Sequence, residues 1–288
     1  MDFLAPRSWA EALAARAAHP GAVPIAGGTD LMVELNFNRR HPEALIDLSR
    51  VDELKQWGRD NGKLRVGAGV TYTRVIEELA ELLPGLAMAS RTVGSPQIRN
   101  RGTIGGNLGT ASPAGDAHPA LLACGATIEL ESLRGTRLVP VEEFFTGPKR
   151  NVLASDELIS AFLARPASGP QQFSKVGTRN AMVIAVASFG LALDSEHRRV
   201  RTGIGSAGPT PRRAFEAEKF LEGELGAGEL WNSPKDLGQA VVERFSELVV
   251  EASAPIDDVR GTAAYRKHAL GVMARRSLSW AWSAYQRS

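Results

Sequence analysis

Apolar residues recur along this chain with two different periods. Val241, Phe245, Leu248 and Val249 stand at i, i+4, i+7 and i+8, one face of a helix. Val75, Ile76, Leu79, Leu82 and Leu83 keep helical spacing too, so a helix is expected over Thr73–Leu83, ended by Pro84 and Gly85. Ala263–Tyr285 is expected to be the last helix, and Pro209-Thr210-Pro211 to introduce another that reaches about Leu221. Ser8 and Glu11 have the spacing of a capping box, opening a helix that Pro20-Gly21 stops near His19. Shorter apolar runs at Val23–Ala26, Ala44–Leu48 and Leu64–Ala68 read as strands. Thr127–Leu133 and Thr136–Val141 resemble a hairpin about Arg134-Gly135. The long run Met182–Leu193 can pair with Val200–Ile204 across the charged turn Ser195–Arg199. This mixture, with no internal repeat, is α+β. Pro166–Pro170 reads as a linker, which gives an expected division into residues 1–168 and 169–288.

One segment follows neither period. Ile98–Asp116, IRNRGTIGGNLGTASPAGD, holds five glycines, one proline and many small polar residues. Nineteen irregular residues inside a compact domain are uncommon and usually functional.

Composition narrows the choices. The chain has 288 residues, 43% of them hydrophobic and 23% charged, as in soluble globular proteins. Lys and Arg number 34 against 32 Asp and Glu, a net charge of +2, so there is no electrostatic footprint for nucleic acid or an acidic membrane. No secretory signal pattern opens the sequence and no apolar stretch approaches a membrane span, so the expected location is the cytoplasm. Cys124 is the single cysteine, which rules out an internal disulfide and a cluster held by four thiolates. It follows Leu121-Leu122-Ala123, so a buried, inert thiol is expected. Five histidines are scattered without ligand spacing, and no protein-held metal is expected.

Two glycine pairs carry the candidate chemistry. Ile25–Leu31 (IAGGTDL) reads as strand, tight turn and helix start, with Thr29 or Asp30 as the cap of a short helix carrying Leu31, Met32 and Leu35. Inward-turned amides at such a turn bind anions, and the helix dipole favours a pyrophosphate. Thr103–Asn107 (TIGGN) is a second loop of this kind. It is neither a Rossmann fingerprint nor a Walker loop, and two such loops can close on one dinucleotide.

AGGTDL at Ala26–Leu31, IRNRGTIGGNLGTASPAGD at Ile98–Asp116 and FSKVGTRNAMVIA at Phe173–Ala185 together closely resemble the FAD-binding subunits of molybdenum hydroxylases, a family that includes xanthine dehydrogenases, carbon monoxide dehydrogenases and N-heterocycle hydroxylases. The resemblance spans essentially the whole chain. It implies an FAD-binding domain of the vanillyl-alcohol-oxidase (PCMH-like) type, then a small C-terminal domain of antiparallel sheet and helices. It also implies non-covalent FAD, no catalytic residue, and molybdopterin and 2Fe-2S clusters confined to a large and a small partner subunit. Electrons would pass from the clusters to an acceptor such as NAD.

Carried over by position, Ala26, Gly27, Gly28, Thr29 and Asp30, flanked by Ile25 and Leu31, would cradle the pyrophosphate from one side, and Thr103, Ile104, Gly105, Gly106 and Asn107 from the other. Asp116 falls where the family places a carboxylate near the nucleotide portion, and is equally placed to cap a helix over Pro119–Ala123. Leu153 matches a position near the cofactor and is also an ordinary core leucine. Lys175 matches a basic residue at the flavin end. Val93 stands where some relatives put an aromatic on the adenine, so adenine binding is expected to rest on apolar contact and backbone hydrogen bonds.

The MDFLAPRSW start and the PIDDVRGTAAYR stretch at Pro255–Arg266 look most like bacterial xanthine dehydrogenases, which favours purine hydroxylation over carbon monoxide or another heterocycle. A stand-alone flavin oxidase often tethers FAD through a histidine, and neither glycine loop has one. A flavin-binding assembly module without turnover is the third reading.

Overall fold

A computed structural model describes residues 1–288. In chain order the first elements are β1 (Asp2–Leu4), α1 (Trp9–Ala18), β2 (Val23–Ile25), α2 (Leu31–Asn36), β3 (Ala44–Asp47), β4 (Trp57–Asp60) and β5 (Lys63–Gly67). Five helices follow: α3 (Tyr72–Glu78), α4 (Pro84–Arg91), α5 (Pro96–Arg101), α6 (Ile104–Thr110) and α7 (Ala117–Ala123). Then come β6 (Thr127–Ser132), β7 (Gly135–Pro140), α8 (Val141–Phe144), β8 (Phe145–Gly147), β9 (Arg150–Asn151) and β10 (Leu158–Ala164). The chain ends with β11 (Gln171–Val176), β12 (Ala187–Asp194), β13 (Arg199–Gly205), α9 (Phe215–Ala227), α10 (Gln239–Glu251) and α11 (Ala263–Tyr285).

These elements form two compact units that are interleaved in sequence. Unit 1 is residues 1–75, 94–112 and 126–165; unit 2 is residues 76–93, 113–125 and 166–288. Unit 2 therefore takes α4 and α7 from within the first 168 residues.

Unit 1 holds three sheets, one of them only the short antiparallel pair β8-β9. The first is parallel, in the order β1-β3-β2, over a small core of Ala22, Ala44 and Ile46. The second is antiparallel, in the order β4-β5-β10-β6-β7. Its central strand β10 reads LISAFLA and buries every residue but Leu163, whereas β6 alternates, with Ile128 and Leu130 buried and Glu129 and Glu131 half-buried. The Ser8 hydroxyl caps α1 by accepting from the Glu11 N–H, but the Glu11 carboxylate accepts from Arg7 N–H and not from Ser8.

Unit 2 is built on the antiparallel sheet β11-β12-β13. Ala187, Phe189, Leu191 and Leu193 of β12 join a core with Leu221 of α9, Phe245 of α10 and Leu270 of α11. On the other face, glycines let α7 lie close: a Cβ on Gly203 would sit 2.1 Å from Pro119 O, and one on Gly190 2.6 Å from it. With both faces covered, β12 reads as a continuous apolar run. The outer edge of β13 is closed by side chains. Glu222 accepts from Val200 N–H and Glu218 from Thr202 N–H, so two carboxylates one turn apart on α9 stand in for a fourth strand.

Several expectations are corrected. The helix expected to Leu83 stops at Glu78, and Pro84 starts α4, since a proline at the first helical turn loses no hydrogen bond. Ile98–Asp116 is not irregular: it holds most of α5 and all of α6, capped by the hydroxyls of Ser95 and Thr103. Burial of Ile104, Gly105 and Leu108 overrides the poor helix propensity of glycine. The run from Met182 becomes strand only at Ala187; Met182 has φ 50°. The helix after Pro211 starts at Phe215 and continues to Ala227. Cys124 is half-buried, its thiol donating to Leu121 O at 3.4 Å.

Candidate cofactor site

The first glycine loop leaves β2 and enters α2 with its amides idle. The N–H groups of Gly27, Gly28, Thr29, Asp30 and Leu31 donate to no protein acceptor; the first bonded amide is Met32, to Gly28 O at 3.1 Å. Gly28 has φ +73°, a conformation that turns successive amides to one side and that L side chains resist. Asp30 occupies the cap position of α2 but makes no capping bond; its carboxylate accepts instead from the Thr110 hydroxyl of α6 at 3.1 Å.

The second loop is committed differently. Ile104 N–H donates to Val70 O, Gly105 N–H to Ala68 O, Gly106 N–H to Thr103 Oγ1 and Asn107 N–H to Thr103 O. Its contribution is surface rather than donors. Gly27 and Gly105 are required by the fold, because a Cβ on Gly27 would lie 1.9 Å from Arg101 O and one on Gly105 2.6 Å from Ala68 O. The Gly27 contact seats the first loop on the chain that enters the second. Gly106 and Gly109 are different. Both are exposed on α6, and a Cβ there meets only Thr103 Oγ1 at 3.0 Å and Ile159 Cδ1 at 3.9 Å, respectively. Nothing in the protein demands glycine at either position, whereas a ligand approaching the helix backbone would.

Both loops line one cavity of ≈ 260 Å³ in unit 1. Ala26, Asp30 and Leu31 come from the first; Gly105, Gly106, Gly109 and Thr110 come from α6; Val23, Pro24, Leu48, Leu153, Leu158 and Ile159 supply apolar walls. Of the residues expected around the cofactor, Ile25, Gly27, Gly28, Thr29, Thr103, Ile104 and Asn107 frame the loops without lining the cavity. Polar liners that the sequence did not single out are Arg16, Glu34, Arg40, Lys149 and Glu157. Glu34 pairs with Lys149 and with Arg40 at 3.7 Å, and the Lys149 hydrogen bond holds its carboxyl below the usual range. Glu157 accepts two bonds from Arg137 and one from Ala154 N–H, and Arg137 holds it low. These residues are scattered over α1, α2, the chain between α2 and β3, and the segments around β9, and no sequence spacing joins them. Gly109 and Thr110, three and four places after Gly106, were within reach of a helical reading.

Asp116, Lys175 and Val93 belong to unit 2. Asp116 stands at the cap position of α7 but makes no capping bond, which corrects that expectation. Its Oδ2 accepts from Lys175 Nζ of β11 at 2.6 Å, and Nζ also donates to Thr92 O at 3.2 Å. The pair is nearly enclosed, the side chains being 11% and 7% exposed. Burial pushes the Asp116 carboxyl up to about 6, with Lys175 and the Thr92 hydroxyl pulling the other way. Asp116 Oδ1 is buried without a hydrogen-bond partner. Val93 is half-buried just beyond α4. No His, Cys, Asp or Glu cluster is arranged to hold a metal, and no helix is long and apolar enough to cross a membrane.

Five idle amides, a glycine surface and an apolar cavity fit a dinucleotide with two adjacent phosphates. Comparison with known proteins agrees. Residues 1–163 match the family model described as FAD binding domain in molybdopterin dehydrogenase, and residues 172–281 the one described as CO dehydrogenase flavoprotein C-terminal domain. The chain is 35% identical over 235 residues to the nicotinate dehydrogenase FAD-subunit of Eubacterium barkeri, covering 77% of this chain and 79% of that one. It is 32% identical over 287 residues to the xanthine dehydrogenase FAD-binding subunit of Escherichia coli O157:H7, covering 96% and 94%. A solved carbon monoxide dehydrogenase from Hydrogenophaga pseudoflava contains a chain that superposes with a TM-score of 0.88 at 27% identity, covering 99% of this chain and 98% of that one.

Proposed function

The chain belongs to the FAD-binding subunits of molybdenum hydroxylases of the xanthine dehydrogenase and carbon monoxide dehydrogenase type, and from that premise we propose that it is the electron-exit subunit of a purine-oxidising complex. FAD is its cofactor. One cysteine cannot hold an iron–sulfur cluster, so electrons come from 2Fe-2S clusters in a small partner subunit, filled by a molybdopterin-binding large subunit that oxidises the substrate. The flavin then passes them to an acceptor such as NAD. The bound flavin supplies the exchange between one-electron and two-electron transfer.

The observation that carries this reading is the row of idle amides from Gly27 to Leu31 beside the open glycine face of α6. The amides take the pyrophosphate oxygens, and Gly106 and Gly109 let the phosphates approach the helix backbone. In unit 2, Lys175 is held by Asp116 and Thr92 O, which fixes the position of its positive charge. Purine as the substrate is supported by the near-complete overlap with the Escherichia coli xanthine dehydrogenase subunit. The higher local identity to a nicotinate dehydrogenase subunit supports a pyridine carboxylate as the second reading.

Anaerobic titration of the flavin absorbance with xanthine and with nicotinate tests this. The isolated chain should not bleach with either, and the reconstituted complex should bleach with xanthine. Direct bleaching of the isolated chain would refute the subunit reading in favour of a stand-alone oxidase. Bleaching of the complex by nicotinate alone would move the substrate to the second reading.

A further inference from the structure

Arg16 stands on the last turn of α1 and lines the unit 1 cavity. Its Nη1 donates to the carbonyls of Pro20 and Ala22, which fixes the turn from α1 into β2. Nη2 makes no hydrogen bond within the protein, and Nε is buried without a partner. A half-buried guanidinium with idle donors is costly. Burial lowers its pKa, and Asp156 only opposes that shift. A lysine amine would suffice to hold two carbonyls, so fixing the turn does not account for the planar fork.

The position of Arg16 along the cavity says what the idle edge faces. Strand β2 begins beside Ala22, which Arg16 holds, and ends beside the idle amides that start at Gly27. Three residues of strand span about 10 Å, a length that a nucleoside covers when its phosphate lies on those amides. The redox half of the cofactor must stay within reach of its electron partners, which leaves the adenosine half for the cavity walls. Those walls include Val23, Pro24, Leu48 and Leu158 and no aromatic ring, so apolar contact can hold a flat base but cannot identify it. Adenine presents ring nitrogens that accept hydrogen bonds, and arginine carries donors only.

We propose that Arg16 recognises the adenine half of FAD, its unused Nη2 donating to an acceptor nitrogen of the base, and so selects FAD over FMN. This rests on the cofactor reading above, and it assigns base recognition to a side chain where backbone and apolar contacts were expected.

The test uses the deflavinated full chain, with FAD and FMN affinities measured by flavin fluorescence titration. Arg16→Met removes the donors. Arg16→Lys keeps a donor for the Pro20 and Ala22 carbonyls but has no fork, so it separates recognition from support of the turn. Both variants should lose roughly 10- to 100-fold in affinity for FAD, the effect of one hydrogen bond to a charged group, and none for FMN, which lacks the adenosine half. Equal losses for the two flavins, or unchanged FAD affinity in either variant, would overturn the proposal while leaving the cofactor reading intact. Failure of the wild-type chain to bind FAD would overturn both.

Discussion

Gly27 and Gly106 look alike in sequence, each one member of a glycine pair, but their surroundings oppose them. Gly27 faces Arg101 O at a distance no Cβ can occupy, whereas a Cβ on Gly106 would meet only the hydroxyl of its own capping threonine, at 3.0 Å. Gly27→Ala should cost about 2 kcal/mol or more of folding stability, visible as a lowered urea midpoint of the apo chain. Gly106→Val should leave that midpoint and the circular dichroism nearly unchanged while the purified protein loses its flavin; full FAD content in folded Gly106→Val would contradict the assignment. Asp116 offers a test in pH. Its carboxyl is pushed up to about 6 from an ordinary 3.8, so between those values the folded chain keeps a proton that the unfolded chain has released. The group's favourable contribution is complete below about pH 4 and is lost as the pH rises through 6. At about 1.4 kcal/mol per pKa unit, wild type should lose roughly 3 kcal/mol relative to Asp116→Asn between pH 4 and pH 7. A pH-independent difference between the two unfolding curves would show that burial does not raise this carboxyl.

The β12–β13 pair shows how one element can be specified by what lies across it. Gly203 and Gly190 are small because Pro119 of α7 lies on them. Gly203→Ala should push α7 away, lower the melting temperature by several degrees, and weaken the Lys175–Asp116 pair, since Asp116 stands at the start of α7. An unchanged melting temperature would mean that the sheet and α7 yield freely. Elements with a strong period of their own were legible before the structure: α10 from Val241, Phe245 and Val249, α11 over Ala263–Tyr285, and the β6–β7 hairpin. Those that depend on tertiary contact were not. α5 and α6 have no apolar stripe for a period to reveal, and α6 is helical because its buried side packs on Ala68 and Val70 and its start is capped by Thr103. The same division holds at the site. The glycine loops announce themselves by composition, but Arg16, Glu34 and Lys149 meet only after folding.

For the molecule as a whole, the non-covalent site predicts a yellow protein that releases FAD on denaturation without proteolysis. FMN, or flavin attached to a peptide, would refute it. The interleaving of the two units also has a consequence in time. All seven residues of α7 are buried, and the sheet that covers them is not complete until Gly205. From Pro119 to Gly203 the ribosome must add 84 residues (203 − 119), which takes about 4–17 s at typical synthesis rates. Through that interval the nascent chain carries an apolar helix that has α4 beside it but lacks the sheet that covers it. Ribosome-stalled chains ending near residue 165 should therefore cross-link to chaperones through α7, and chains long enough to expose Gly205 beyond the exit tunnel should not. Equal cross-linking at both lengths would mean that α7 finds cover without β12 and β13.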